Sequence, residues 1–279
     1  MEQFGRYKIL LLFILLGILS CTKERVPKHY FTDEVRLRTT PVKNQGNTQL
    51  CWAFAMLATI ETNHIMLGDS VNLSPYYVSS ILGLHDKKKQ RGVAQDLLTI
   101  IQRHGICGWD ACNDAETPAP KRVFMFGVEY TPQQFARSVC RRNEYITLTH
   151  VAKCAMMQPV GLDLADSRYP HKALNVPKDT LLARIDTALL RGQAVCWEGE
   201  LDSKLFDWDE GIAVAPKVSF DSFPSDDHCM TIIGKAHDEK GEPYYIMKNS
   251  WGEDNAYKGF VYMHRDYVRH KTTCIVLPQ

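Results

Sequence analysis

The apolar positions fall into two rhythms along the chain. From Cys51, residues Trp52, Phe54, Ala55, Ala58 and Ile60 recur near helical spacing and Gly68 offers a stop, so a helix is predicted to open at Cys51. Leu73-Ser74-Pro75 reads as an N-cap followed by proline at the first helical position, opening a second helix towards Leu84. A third is expected from about Val93 to His104, with Leu97, Leu98 and Ile101 on one side and Gly105 as terminator. Thr131-Pro132 starts a short helix, and Pro177 to Arg191 forms the last clear one, ended by Gly192.

Beyond Gly192 the pattern changes. Ala194 to Leu201, His228 to Ala236, Pro243 to Ser250, Gly259 to His264 and Cys274 to Leu277 read as short β segments, parted by turn signals such as Glu239-Lys240-Gly241. Helices first and strands second predict an α+β fold in two lobes, one mainly helical and one mainly β. With 279 residues there is ample length for a real core. Composition is ordinary for a globular protein, and a net charge of +1 gives no reason to expect a nucleic-acid partner. The short run Lys87-Lys88-Lys89 reads as a solvated loop.

The N-terminus has the pattern of a targeting segment. Arg6 and Lys8 precede an apolar run from Ile9 to Leu19, which is shorter than the roughly 20 residues a membrane span wants. Its end, ILSC (18–21), resembles the bacterial lipobox, with Leu19 a less usual occupant of its position. Residues 1–20 are therefore expected to be a lipoprotein-type signal peptide and Cys21 the lipidated residue. Plain secretion and an uncleaved anchor are the alternatives. Residues 21–40 would form a tether and first extended segment, and 41–279 the main domain. The expectation is an exported protein lipid-anchored to a bacterial membrane, on the periplasmic side or the cell surface.

Of nine cysteines, seven remain once Cys21 and Cys51 are set apart, so at least one thiol stays free even in an oxidising compartment. His104, Cys107 and Cys112 invite a zinc reading, but no second closely spaced ligand pair follows. No metal and no cofactor is expected.

Four side chains supply a further chemistry. The run PVKNQGNTQLCWAFA (41–55) places Gln45 six positions before Cys51, DDHCMTIIG (226–234) carries His228, and PYYIMKNSWG (243–252) carries Asn249. A thiol, an imidazole, an amide to orient that ring and a second amide to bind an oxyanion are what a cysteine nucleophile needs to attack a carbonyl. A helix start exposes the Cys51 sulfur to the positive end of the macrodipole, and a protonated imidazole beside it favours the thiolate further. Taken singly, His228 reads as a core histidine, Asn249 as a turn residue and Gln45 as a surface amide. Their order and neighbours shift the reading.

With these blocks the chain resembles the papain-like cysteine peptidases, and most of all their bleomycin hydrolase (aminopeptidase C) branch. The resemblance runs from about Pro41 to Val276 and is patchy between 106 and 176. It implies the papain-like two-lobe fold, with a helical N-terminal lobe, an antiparallel β-barrel-like C-terminal lobe and the active site in the cleft between them. It implies Cys51 as nucleophile, His228 as general base, Asn249 as its orienter and Gln45 with the Cys51 N–H as oxyanion hole. Trp251 would shield the Asn–His bond and Gly92 would hydrogen-bond substrate backbone. The stretches 220–228 and 267–273 are similar to bleomycin-hydrolase-like bacterial proteins in particular.

Several positions depart from that pattern. Thr48 stands where secreted papains have a disulfide cysteine, and Gln49-Leu50 replaces a small Gly-Ser pair. Gln90-Arg91-Gly92 replaces a paired glycine; Arg91 either narrows the site or is simply solvated. Cys229 takes the place of a small residue and reads as a small buried hydrophobe, with a redox-sensitive thiol as the alternative. The short stretch from Cys21 to Pro41 and the end at Gln279 leave no room for a long prosegment or a cleft-filling tail. The expectation is an endopeptidase acting on peptide or protein substrates as a monomer without a zymogen step. The alternatives are an aminopeptidase, a catalytically silent peptide-binding protein and an amidase or transglutaminase-like acyl transfer.

Overall fold

The computed structural model describes residues 25–279 apart from 85, 87, 88, 126 and 218–221. The apolar leader and Cys21 lie outside the described residues, as do Lys87, Lys88 and part of the 220–228 stretch. The helices are α1 (Cys51–Met66), α2 (Pro75–Ile81), α3 (Ala94–His104), α4 (Pro132–Val139), α5 (Lys178–Leu190) and α6 (Arg265–Lys271). The strands are β1 (Phe31–Arg36), β2 (Val123–Met125), β3 (Val128–Tyr130), β4 (Tyr145–Thr149), β5 (Gln158–Leu162), β6 (His171–Asn175), β7 (Val195–Gly199), β8 (Phe206–Asp207), β9 (Ile212–Ala213), β10 (His228–Asp238), β11 (Pro243–Lys248), β12 (Phe260–His264) and β13 (Thr272–Pro278).

Local chemistry explains the helix ends. Ser74 caps α2 by accepting from the Tyr77 amide, with Pro75 at the first position. Thr131 and Gln134 form a reciprocal capping box at α4. Gly68, Gly105 and Gly192 follow α1, α3 and α5 with φ of +95°, +85° and +74°, a conformation side chains disfavour. On α3 the fully buried long apolar side chains are Leu97, Ile100 and Ile101, while Leu98 is half-buried, the i, i+3, i+4 spacing of one helical face.

Eleven strands form one largely antiparallel sheet, in the order β5-β6-β4-β13-β7-β10-β11-β12-β9-β8 with β1 also paired to β10; β2 and β3 make a separate hairpin. Only β4·β6 and β9·β12 are parallel pairs among the described strands. Strands 4 to 6 and helix α6 are elements the hydrophobic pattern did not announce. Strand β5 holds Pro159 and Gly161, both poor strand formers, and it survives by lying at the sheet edge. Helix α6 is short and is capped by an unusual group, the His264 ring, whose Nδ1 accepts from the Asp266 amide at 3.0 Å.

Two cores follow from the two-residue period of the strands. Val195, Trp197, Met230, Ile232, Ile275 and Leu277 point to one face, where α5 and α6 close a β-lobe core. Cys196, Cys229 and Val276 point to the other, joining Leu50, Trp52, Ala53, Phe54, Met56 and Leu57 of the α1 region in a helical-lobe core. Helix α1 is thus apolar nearly all round because it is covered on both sides, by α2–α4 and by the sheet. Thr231 Oγ1 on β10 donates to the Ala55 carbonyl at 2.8 Å, fixing the height of the strand along the helix.

Candidate active site

Cys51 is the first residue of α1 and half-buried, so its sulfur sits at the helix end where amides are unpaired and the dipole favours negative charge. His228 is the first residue of β10, and Asn249 directly follows the neighbouring strand β11. His228 Nε2 donates to Asn249 Oδ1 at 2.8 Å, which leaves Nδ1 for the neighbouring Cys51 sulfur. Asn249 Oδ1 also accepts from the Ser250 amide at 2.8 Å, so the acceptor oxygen is held from two sides. Both His228 and Asn249 are buried, at 4% and 3% exposure, so water competes little for the bond between them.

Charge pairing follows from this contact. The Cys51 thiol is held well below the ordinary thiol range by a hydrogen bond from the Cys229 thiol and by the charge and hydrogen bond of His228, against the opposing effect of burial. Burial alone would lower His228, yet the Cys51 charge and the hydrogen bonds to Cys51 and Asn249 raise it above its ordinary value. Opposite shifts on adjacent groups favour a thiolate–imidazolium pair.

Gln45 reaches the same place from the segment before α1. Its backbone amide donates to the Ser250 carbonyl at 2.7 Å and its Oε1 accepts from Ser250 Oγ at 2.6 Å. Its Nε2 donates to the Thr48 carbonyl at 2.9 Å, while Thr48 Oγ1 donates back to the Gln45 carbonyl at 2.7 Å. Thr48, where a disulfide cysteine was the family expectation, therefore pins the loop by reciprocal hydrogen bonds. Oε1 is spent, and an amide nitrogen carries two hydrogens, so one remains beyond the Thr48 bond. Beneath this loop, fully buried Glu61 accepts from Thr40 Oγ1, Lys43 Nζ and the Leu73 amide, each at 2.6 Å, tying residues 40–43 to α1.

Trp251 lies over the histidine, with ring centroids 4.7 Å apart. Trp208 and Phe206 meet Trp251 edge-on at 5.3 and 6.0 Å, so the ring over His228 is itself packed against two others. These two rings were not anticipated; the aromatic spacing in LFDWDE (205–210) was their only signal. Gly92 is brought beside the indole of Trp52. A Cβ there would lie 2.2 Å from Arg168 Nη1 and 2.8 Å from Trp52 Cε2, so packing alone demands glycine. Arg168 also stacks over the Trp52 ring, while Arg91 pairs with Asp166 through its Nε at 2.5 Å. The loop carrying Asp166 and Arg168 thus borders the site, a role nothing in its sequence signalled.

Behind the nucleophile lies a buried acid. Glu198 on β7 is 1% exposed, accepts from the Ala94 amide at the start of α3 at 3.1 Å, and sits in register between Cys229 and Cys274. Burial pushes its carboxyl up to about 8. Among the described residues no group of three His, Cys, Asp or Glu side chains is placed to hold a metal ion. Each described cysteine is unbridged, and no described helix is long and apolar enough to cross a membrane.

A half-buried cysteine at a helix start, beside an Asn-bound histidine on a sheet, with the two residues drawn from different lobes, is the arrangement of a cysteine-protease type of site on an α+β two-lobe fold. The chain belongs to the papain family of cysteine proteases, whose family model matches residues 26–276. It is 23% identical over 236 residues to thiol protease SEN102 of Hemerocallis sp., covering 84% of this chain and 54% of that protein. With mexicain of Jacaratia mexicana it shares 26% identity over 237 residues, covering 84% of this chain and 87% of that one. The crystal structure of PepW from Lactobacillus rhamnosis HN001 superposes with a TM-score of 0.68 at 16% identity, covering 89% and 82% of the two chains. The chain spans little more than half the length of SEN102.

Proposed function

We propose that this protein hydrolyses peptide bonds through an acyl-enzyme formed on Cys51. The observation that carries the reading is the buried Cys51–His228–Asn249 relay, with the histidine's Nε2 committed to Asn249. The Cys51 thiolate attacks a peptide carbonyl. The Cys51 amide and the second hydrogen of the Gln45 amide hold the oxyanion that develops. His228 protonates the leaving amine, then activates water to release the acyl group. Asn249 keeps the ring turned without adding a charge.

Cleavage inside chains is the specificity we favour. The reading rests on the departures of the sequence from the bleomycin hydrolase pattern around Cys51, Thr48 with Gln49-Leu50 and Gln90-Arg91-Gly92 among them. Removal of N-terminal residues, as the bleomycin hydrolase resemblance implies, is the competing specificity. The test is digestion of long peptides with free and with blocked N-termini by wild type and Cys51→Ala, with products read by mass spectrometry. Internal cuts in both peptides that vanish in Cys51→Ala support the proposal. Stepwise trimming restricted to the free peptide would establish the aminopeptidase instead, and turnover by Cys51→Ala would remove the assignment altogether.

We further propose export and lipid anchoring through Cys21 as a monomer, on the strength of Arg6, Lys8, the apolar run 9–19 and the ILSC segment. Metabolic labelling with a fatty acid checks it: wild type should carry label in the membrane fraction and Cys21→Ser should not. Light scattering of the detergent-solubilised protein checks the oligomeric state.

A further inference from the structure

One thiol in this site is not used by the acyl-transfer chemistry. Cys229 directly follows His228, is 3% exposed, and lies in the core beside α1. Its position follows from the strand geometry. Thr231 on β10 faces α1, with its Oγ1 on the Ala55 carbonyl at 2.8 Å and Thr59 Oγ1 3.4 Å away. Two residues back along a strand is about 6.6 Å and preserves the face. Four residues back along a helix is about 6 Å and nearly preserves the face. The pair one step before Thr231 and Ala55 is therefore Cys229 and Cys51, brought together by the same packing. Cys229 is the first of the groups that hold the Cys51 thiol down, as expected of two thiols set side by side by this packing.

We propose that Cys229 is the resolving thiol of a reversible redox switch, closing a Cys51–Cys229 disulfide when the nucleophile is oxidised by a peroxide. The proposal builds on the peptidase reading only for its consequence, loss of turnover. In the first step the Cys51 thiolate attacks a peroxide oxygen and breaks the O–O bond; sulfur is oxidised to sulfenic acid, and the released hydroxide or alkoxide takes a proton. In the second, the Cys229 sulfur attacks the Cys51 sulfur. The S–O bond breaks, hydroxide leaves, and the proton lost from Cys229 completes it to water. Two thiols and one peroxide give one disulfide, with both peroxide oxygens leaving as water or as water and an alcohol. A low-molecular-weight dithiol reverses the bond by exchange.

The environment suits this order of events. Cys51 is the sulfur held as thiolate and belongs to a half-buried residue, whereas Cys229 is buried, so Cys51 meets the oxidant first. Cys229 is kept protonated first by burial, then by its hydrogen bond to Cys51 and by the Cys51 charge. Oxidation of Cys51 removes the thiolate charge and that bond together, so the resolving sulfur becomes easier to ionise once there is something to resolve. In register with Cys229 lies Glu198 and beyond it Cys274, so the next thiol on that strand row is two strands away from Cys229. Capture by Cys229 spares Cys51 from the irreversible higher oxidation states.

The test treats the full-length protein with limiting hydrogen peroxide, then divides the sample for intact mass, peptide mapping and activity before and after dithiothreitol. Wild type should lose two hydrogens, yield a peptide pair joining Cys51 to Cys229, and regain its rate on reduction. Cys229→Ala and Cys229→Ser should instead gain two oxygens on Cys51 and stay inactive, each compared with its own untreated rate. Sulfinic acid on wild-type Cys51 with Cys229 still reduced would overturn the proposal, as would a bridge from Cys51 to another cysteine. Because the wild-type mass and peptide map decide it alone, poor folding of a variant does not blunt the test. A protein with no turnover before oxidation would refute the peptidase reading and leave the mapping result standing.

Discussion

His228 donates through Nε2 to Asn249 Oδ1 at 2.8 Å, and this one bond decides which ring nitrogen is turned towards Cys51. It is made between the first residue of β10 and the residue just after β11, neighbours in the sheet although 21 positions apart in sequence. Replacing Asn249 with Ala should lower kcat/KM by about 10²-fold, the lower end of what a positioned acid–base group supplies. The pH profile separates orientation from mere instability. Asn249 is one of the groups that raise His228, so the alkaline limb, where the imidazolium is lost, should move to lower pH in the variant. An unchanged limb with reduced rate would assign Asn249 a structural role only.

Gln45 and Thr48 form a pair in which each side chain donates to the other's backbone carbonyl. Gln45→Ala should reduce kcat by about 10²–10³-fold with little change in KM, the signature of a donor that acts on the oxyanion and not on the ground state. Thr48→Val keeps the shape of Thr48 and removes the hydroxyl donor to the Gln45 carbonyl. Its effect should be smaller and of the same kind, because the amide is still present but less firmly aimed. Steady-state kinetics on a single peptide substrate measures both. A rise in KM at unchanged kcat would place Gln45 in substrate binding instead.

Glu198 sets a pH dependence of stability distinct from that of activity. Burial raises its folded-state value to about 8, above the ordinary carboxylate, so between roughly 4.5 and 8 the folded protein holds a proton that the unfolded chain has lost. Its stabilising contribution is complete below that window and is lost as pH rises through it, at no more than about 1.4 kcal/mol per pH unit. Denaturant melts of wild type should therefore weaken across this range. Glu198→Gln, which keeps the shape and carries no charge, should flatten that trend. Parallel curves for the two proteins would show that Glu198 does not control it.

Gly92 illustrates how a glycine can be demanded by packing. Gly92→Ala would press a methyl group against the buried Trp52 ring and the Arg168 guanidinium. Overpacking of this kind costs about 1–3 kcal/mol, and thermal unfolding should register it. Arg168 can yield at its flexible end, but Trp52 is fully buried and its indole nitrogen donates to the Gln90 carbonyl at 2.8 Å. The companion change Gly92→Ala with Arg168→Ala should recover only part of the loss, since the clash with the indole remains. Full recovery would mean that Arg168 alone excludes a side chain.

The linear order of residues by itself determined helices α1 to α5 and which side chains are candidates for the chemistry. Caps such as Ser74 and Thr131, terminators such as Gly68 and Gly105, and helical spacing from Trp52 to Ile60 act over a few residues, so they are legible without the fold. Gln45, Cys51, His228 and Asn249 were legible as chemistry because their immediate neighbours carry the family pattern. Only the tertiary structure decided what surrounds them. Cys229 against Cys51, Glu198 beneath Ala94, Trp208 on Trp251 and Arg168 over Gly92 join residues far apart in sequence, and no local propensity encodes such a pairing. Strand β5 shows the same limit from the other side: its proline and glycine argue against a strand, and its place at the sheet edge overrules them. Periodicity tells which face of a segment is buried, whereas packing chooses the partner, and the partner sets the charge on a buried thiol or carboxyl.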